Sequence, residues 1–198
     1  MNIGTLLPRH ARYRGDHIAL VTQGQQFSYR ALNAYVNRLA NALIAAGLRK
    51  GDKFATVLGN GLPLMAAYWA AARTGFVIVP MSPLLQESGL QTLLTDSDTR
   101  LVIGDVAFTP VFDRIRDRLP LIDADRWLVV GGTMPGYRAY EDALASVDDS
   151  DPGDRNLVDA DEFNIMYSSG TTGLPKGIVH SHYVRAMYCT LFSQAWRM

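Results

Sequence analysis

The sequence contains very little cysteine and few charged residues. Of its 198 residues only Cys189 is a cysteine, and charged residues make up 19%. A single cysteine cannot form an internal disulfide, which favours a reducing compartment such as the cytoplasm. Hydrophobic residues make up 48%, so the composition excludes an intrinsically disordered chain and predicts a sizeable buried core.

Neither sign of charge is in excess, since 19 Lys and Arg balance 19 Asp and Glu. A general nucleic-acid or anionic-membrane binder would need a basic excess, so we predict no nucleic-acid partner. The four histidines lack the spacing typical of metal ligands, and no residue is predicted to bind a metal ion.

Long uninterrupted hydrophobic runs are missing as well. The most apolar stretch, residues 62–85, is broken by Arg73, Gly75, Pro80 and Pro83, whereas a membrane-spanning helix needs about 20 consecutive apolar residues. The N-terminus lacks the basic region and long apolar core of a signal peptide. We therefore expect a soluble, cytoplasmic protein without a transmembrane segment, and leave peripheral membrane association open.

Helical and extended patterns alternate along most of the chain. Helices are predicted over 28–43, 63–73, 90–95 and 109–119. Short apolar strands are predicted over 54–58, 76–79, 100–103 and 127–130. This alternation is typical of a parallel β-sheet covered by helices on both faces. The acidic run 148–154 is predicted to be a solvated surface loop.

The segment YSSGTTGLPKG, residues 167–177, contains the residues best suited to ligand binding or catalysis. It lies between an apolar strand and a second β-prone run. Glycines let backbone amides approach an anion, hydroxyls donate further hydrogen bonds, and Lys176 supplies a compact positive charge. These features predict a polyphosphate-binding loop that joins two strands. The alternative is a plain hairpin loop that binds no ligand, but the full run from Ile165 to Lys176 is far more specific than such loops require.

The Walker phosphate-binding loop does not fit this segment. Pro175 precedes Lys176 where the Walker pattern has glycine, and Gly177 follows where it has Ser or Thr. The residues after Lys176 are also β-prone, whereas the Walker lysine opens a helix.

The segment resembles the phosphate-binding signature of the AMP-forming adenylating enzymes, which include acyl-CoA synthetases, the adenylation domains of peptide synthetases, and luciferases. It matches that signature without a mismatch, and segments 27–33, 36–43, 50–52 and 75–83 also look like the front end of these ligases. The resemblance covers about residues 3–198 and is strongest to bacterial long- and medium-chain fatty-acid–CoA ligases. It implies an α/β fold in which residues 1–198 are a truncated N-terminal AMP-binding domain, with the phosphate loop at 167–177 and the C-terminal lid domain absent.

The resemblance also implies a two-step reaction that uses ATP, Mg²⁺ and CoA. A carboxylate, by resemblance a fatty acid, attacks the α-phosphate of ATP, and the CoA thiolate then displaces AMP from the acyl-adenylate. The implied phosphate-binding residues are Ser168, Ser169, Gly170, Thr171, Thr172, Gly173 and Lys176. Thr172 and Lys176 are predicted to be catalytic through positioning and charge, because the loop contains no nucleophile or base that the reaction needs.

Structural interpretations are favoured for the other reactive or aromatic side chains. His180 and His182 are expected to be structural rather than a general base or metal ligands, and Cys189 is expected to be a small core residue. Tyr68 and Trp69 are predicted to lie in the core, and Tyr167 to pack beneath the loop.

The predicted helix 182–198 ends abruptly, so we expect the front part of a longer enzyme, inactive by itself, with exposed apolar surface that allows self-association, such as a homodimer. Two alternatives stay open. One is adenylation of an aryl or amino acid, or transfer to a carrier-protein thiol. The other is a short protein that binds a nucleotide or a partner without catalysis. The acyl chain length and the adenine, ribose and magnesium-binding residues cannot be identified in this sequence.

Overall fold

A computed structural model of the chain describes residues 2–168 and 175–196, except for the side chains of Cys189 and Trp196. Within these residues the α-helices are α1 (Leu6–Tyr13), α2 (Tyr29–Ala45), α3 (Leu62–Thr74), α4 (Glu87–Asp96), α5 (Thr109–Ile115), α6 (Tyr140–Ala145) and α7 (His182–Trp196). The strands are β1 (Ile18–Thr22), β2 (Gln25–Ser28), β3 (Lys53–Val57), β4 (Val77–Pro80), β5 (Thr99–Asp105), β6 (Trp127–Val130), β7 (Arg138–Ala139), β8 (Glu162–Ser168) and β9 (Lys176–Ser181). Each helix and strand predicted between residues 28 and 130 is present, with ends within a few residues of the prediction.

The strands described form a large mixed sheet in the order β7-β6-β5-β3-β4-β8-β9, and β1 pairs with β2 in a separate hairpin. All neighbours in the large sheet are parallel except β8 and β9, which are antiparallel. The predicted parallel-rich α/β fold is therefore confirmed, with an antiparallel strand at one edge.

Two apolar clusters cover the two faces of this sheet. Because successive side chains of a strand point to opposite faces, Phe54 packs in the cluster with α2 and α3, whereas its neighbour Ala55 packs in the other. The second cluster contains Leu94 of α4 and Phe112 of α5. Coverage of both faces is thus confirmed as well.

Local sequence signals set the ends of the helices beside β3. The Ser28 hydroxyl accepts a hydrogen bond from the Ala31 amide at 3.2 Å and caps α2, as its predicted role requires. Helix α3 ends at Gly75, whose φ of 75° is left-handed and favours glycine.

The acidic segment 148–154 is mostly exposed, as predicted, but it is more than a solvated loop. The Asn37 amide donates to the Asp149 carbonyl at 3.0 Å, and Arg73 Nη2 lies 2.6 Å from Asp151 Oδ1. Burial acts to raise the pKa of Asp151, but the hydrogen bonds from Arg73 and the Gly153 amide outweigh it and lower that pKa. The segment therefore connects the middle of α2 to the end of α3.

Candidate phosphate-binding site

The segment YSSGTTGLPKG spans the end of β8, the connection to β9, and the start of β9. Strand β8 pairs in parallel with β4 through Ile78 and Asn164, and its ladder with β9 reaches the pair Ser168 and Lys176. Since β8 runs parallel to the other strands, its carboxyl end lies at the same edge of the sheet as theirs. Ligands of open α/β sheets bind at this edge. The prediction that the segment joins two strands is confirmed.

Two of the predicted phosphate-binding residues, Ser168 and Lys176, lie within the described part of the chain. They are exposed, and they face each other as cross-strand partners where the hairpin opens. Lys176 forms no ion pair with any other residue that the structure describes. A cation and a hydroxyl residue at the two ends of one connection are a suitable frame for an anion.

The other predicted ligands, Ser169, Gly170, Thr171, Thr172 and Gly173, lie outside the described residues. Their contacts with phosphate stay predictions, and so does the catalytic role assigned to Thr172.

Tyr167 lies one ladder pair below Ser168 and Lys176, and its predicted packing beneath the loop concerns residues outside those described. Its cross-strand partner is Gly177, and a Cβ added to Gly177 would lie 3.2 Å from Tyr167 Cε1. The Tyr167 hydroxyl donates a hydrogen bond of 2.5 Å to Oδ2 of Asp96, the last residue of α4. Burial and the Asp96 carboxylate together raise the pKa of Tyr167, which keeps the hydroxyl protonated as a donor.

The two histidines after the loop both pack against aromatic side chains. His182 is 0% exposed, its ring packs edge-on against Phe163 at 5.7 Å, and its amide donates to the Asp161 carbonyl at 3.0 Å. Burial lowers the pKa of His182, although the Asp161 carboxylate acts in the opposite direction. A neutral, fully buried imidazole cannot reach a substrate, so the structural interpretation of His182 is supported.

His180 is half-buried and packs edge-on against Tyr188, with ring centroids 5.8 Å apart. Burial lowers its pKa, and the positive charge of Arg185 lowers it further. This position, too, is consistent with a packing role rather than a catalytic one. The core position predicted for Cys189 concerns a side chain outside those described.

A contact that sequence reasoning missed joins α7 to β8. Arg185 Nε donates to Asn164 Oδ1 at 3.1 Å, and the guanidinium carbon lies 5.9 Å from the centre of the Phe163 ring. Arg185 also lines an apolar groove of about 280 Å³ between α3 and α7. Tyr68 and Trp69, which were predicted to be core residues, are only half-buried and line the same groove.

An exposed apolar surface, as the sequence predicted, extends over β9 and α7. Ile178 and Val179 are 47% and 49% exposed on the edge strand, and the helix adds Tyr183, Leu191 and Phe192. No helix within 2–168 or 175–196 is both long and apolar enough to cross a membrane. In the same ranges no group of three His, Cys, Asp or Glu side chains is placed to hold a metal ion.

Comparisons with known proteins agree with the motif and the sheet. The sequence model of the family described as "AMP-binding enzyme" matches residues 7–198. The chain is 33% identical over 189 residues to the long-chain-fatty-acid–CoA ligase FadD13 of Mycobacterium tuberculosis, covering 91% of this chain and 35% of that protein. It is 30% identical over 173 residues to the fatty acid–[acyl-carrier-protein] ligase ScoC of Streptomyces coeruleorubidus, covering 87% of this chain and 31% of that protein.

Among solved structures, the fold is similar to the anthranilate CoA ligase AuaEII in complex with anthranoyl-AMP. The TM-score is 0.86 at 27% identity, covering 92% of this chain and 35% of that one. The chain thus spans about a third of the length of the proteins it matches.

Proposed function

Because this chain belongs to the AMP-binding enzyme family, we propose that it is the front part of an ATP-dependent acid–thiol ligase. The observation that carries the proposal is the complete signature at residues 167–177. Its Ser168 and Lys176 lie at the open end of a hairpin on the carboxyl edge of the sheet. The substrate proposed is a carboxylic acid, with a fatty acid favoured by the similarity to FadD13 and ScoC.

The proposed reaction has two steps. A carboxylate oxygen attacks the α-phosphorus of ATP, the bond to the bridging oxygen breaks, and pyrophosphate leaves with the negative charge. A thiolate then attacks the acyl carbon, and AMP leaves as the thioester forms. The carboxylate is its own nucleophile, so this part of the protein needs to bind and orient rather than to transfer protons.

In this proposal the residues of the hairpin act on the charge of the leaving pyrophosphate. Lys176 is the first residue of β9, its backbone is set by pairing with Ser168, and its side chain is exposed. A fixed donor placed where negative charge develops lowers the barrier without reorganising at that moment. Ser169, Gly170, Thr171, Thr172 and Gly173 would add hydroxyl and amide donors.

Mg²⁺ belongs to the proposal only as a companion of ATP. The described residues contain no cluster of ligands for it. CoA is the proposed acyl acceptor, and the similarity to ScoC makes a carrier-protein thiol the specific alternative. A homodimer stays a proposal that rests on the exposed apolar surface of β9 and α7.

The test is exchange of labelled pyrophosphate into ATP by the complete product of the gene that contains this chain. Exchange is measured with fatty acids of graded length, benzoate, anthranilate and an amino acid, and thioester formation is then measured with CoA and with a carrier protein. Lys176→Ala and Thr172→Ala are expected to lower exchange by about 10²-fold or more, as loss of one preorganised donor does in other enzymes.

Lys53→Ala is the matched control, because Lys53 begins β3 at the opposite edge of the sheet and its nearest carboxylate, Glu162, lies 3.8 Å away. Exchange should continue in this variant. An absence of acid-dependent exchange in the wild-type protein would refute the proposed function, and equal losses in the Lys53 and Lys176 variants would refute the role of Lys176.

A further inference from the structure

Tyr167 connects the opening of the β8–β9 hairpin to a helix on the sheet. It lies one pair below Ser168 and Lys176, and it is only half-buried. Its ring packs beside Gly177, since a Cβ added to that glycine would lie 3.2 Å from Cε1 of the ring. Its hydroxyl reaches Asp96, which is 71 residues earlier in the sequence.

Asp96 is itself held in place, although its side chain is exposed. The last turn of α4 is anchored by Leu93 and Leu94, which are 4% and 1% exposed. The hydroxyl of Ser97, directly after the helix, donates to the Leu93 carbonyl at 2.7 Å and lies 2.8 Å from the Thr99 hydroxyl. The acceptor of the Tyr167 hydrogen bond is therefore attached to a rigid element of the fold.

We propose, as a deepening of the function proposed above, that Tyr167 is a positioning residue for the polyphosphate group of the nucleotide. Its ring over Gly177 and its hydrogen bond to Asp96 fix the end of the hairpin that presents Ser168 and Lys176. The open end of a two-stranded ladder frays readily, and fraying at Lys176 would spread the charge of its side chain over many positions. Fixing both strand ends lowers the entropy lost when the anion binds.

The same chain supplies a matched control for this bond. The Tyr137 hydroxyl donates to Asp113 Oδ1 at 2.7 Å, so it is also a tyrosine–aspartate hydrogen bond from a half-buried ring. Its partner belongs to α5 rather than to α4. Tyr137→Phe should therefore lose a similar bond without loosening the hairpin.

The experiment compares Tyr167→Phe, Asp96→Ala, Asp96→Asn and Tyr137→Phe in the complete gene product. In Tyr167→Phe and Asp96→Ala the KM for ATP is expected to rise by about three- to tenfold, the range for one ordinary hydrogen bond. The KM for the carboxylic acid should not change. Asp96→Asn keeps an oxygen acceptor and should restore most of the ATP affinity, which a role of the negative charge alone would not allow.

Amide hydrogen exchange supplies a readout that does not depend on activity. The amides of 165–168 and 176–179 are expected to exchange several-fold faster in Tyr167→Phe than in the wild type, and to be unchanged in Tyr137→Phe. Unchanged exchange in Tyr167→Phe would overturn the proposal. So would faster exchange with an unchanged KM for ATP, or an equal rise of that KM in Tyr137→Phe. A wild-type protein that does not use ATP refutes the proposed function and the positioning role with it, and it is recognised before any variant is made.

Discussion

Replacement of His182 by leucine should flatten the dependence of stability on pH between 8 and 5.5. The ring is 0% exposed and neither ring nitrogen has a hydrogen-bond partner among the described residues. Burial lowers the pKa of His182, with Asp161 opposing and Lys50, whose Nζ lies 2.7 Å from Asp161 Oδ2, acting in the same direction as burial. The folded protein therefore holds this imidazole neutral, whereas the unfolded chain protonates it near its ordinary pKa of 6.5.

The sign of the effect follows from this difference. Above pH 6.5 His182 is neutral in both the folded and the unfolded state, so it does not change the free energy of unfolding. As the pH falls from 6.5 towards the lowered pKa of the folded state, the unfolded chain binds the extra proton and stability decreases. One such proton changes the free energy of unfolding by about 1.4 kcal/mol per pH unit, so the largest loss by pH 5.5 is about 1.4 kcal/mol.

Urea unfolding followed by circular dichroism at pH 8, 7, 6 and 5.5 measures this loss directly. The wild-type free energy of unfolding should decrease over that range, and the His182→Leu variant should lose most of the decrease. His17→Gln is the control, because His17 is exposed. A His182→Leu protein with the same pH dependence as the wild type would refute the reasoning, whereas a smaller residual slope is expected from His180, whose pKa burial also lowers.

Two further predictions concern the packing that supports the site. A Cβ at Gly104 would lie 2.5 Å from the ring of Phe112, which is 0% exposed, so Gly104→Ala should lower the free energy of unfolding by about 1–3 kcal/mol. In thermal denaturation the double variant with Phe112→Leu should lose less than the sum of the single losses, and strict additivity would contradict the steric argument. Arg73→Met removes the ion pair to Asp151 and should speed limited proteolysis within 148–154, with less than about 1 kcal/mol lost because the carboxylate side is largely exposed. Cleavage at the wild-type rate would show that the segment is held by other contacts.

The sheet and its covering helices were predictable because their signals are local. Strand β6 has the predicted bounds, since four apolar residues from Trp127 to Val130 are followed by two glycines. Helix α4 begins three residues earlier than predicted, at Glu87. An acidic residue in the first turn is favourable at a helix N-terminus, and Glu87 also binds Arg114 and Arg118. Those arginines are remote in sequence, so the pattern of apolar residues could not reveal the true start.

The β1–β2 hairpin was missed although β1 is apolar, because β2 is mostly polar and the turn between them is unusual. The turn residues Gln23 and Gly24 both have positive φ, 49° and 76°. Asparagine or aspartate before glycine is the usual sequence for such a turn, so glutamine gave little signal. The short α6 was missed because a contact remote in sequence stabilises it. Its fully buried Tyr140 packs against Tyr35 of α2, with ring centroids 6.5 Å apart.

The segment 167–177 combines a predicted phosphate chemistry, which stays a prediction, with a local structure that the β8–β9 pairing shows. From the sequence, the glycines of the motif read as places where backbone amides approach an anion. Gly177 has a different physical reason within the hairpin, because its φ is not left-handed and a Cβ there would lie 3.0 Å from Ile165 Cγ2 and 3.2 Å from the Tyr167 ring.

It follows that Gly177 gives space to Tyr167, at the other end of the same eleven-residue segment. A larger residue at 177 would press on that ring and shift it, and with it the hydroxyl that donates to Asp96. The two ends of the motif therefore constrain each other through the β8–β9 ladder. The Asp96 half of the arrangement, which lies 71 residues away, could be found only in the folded structure.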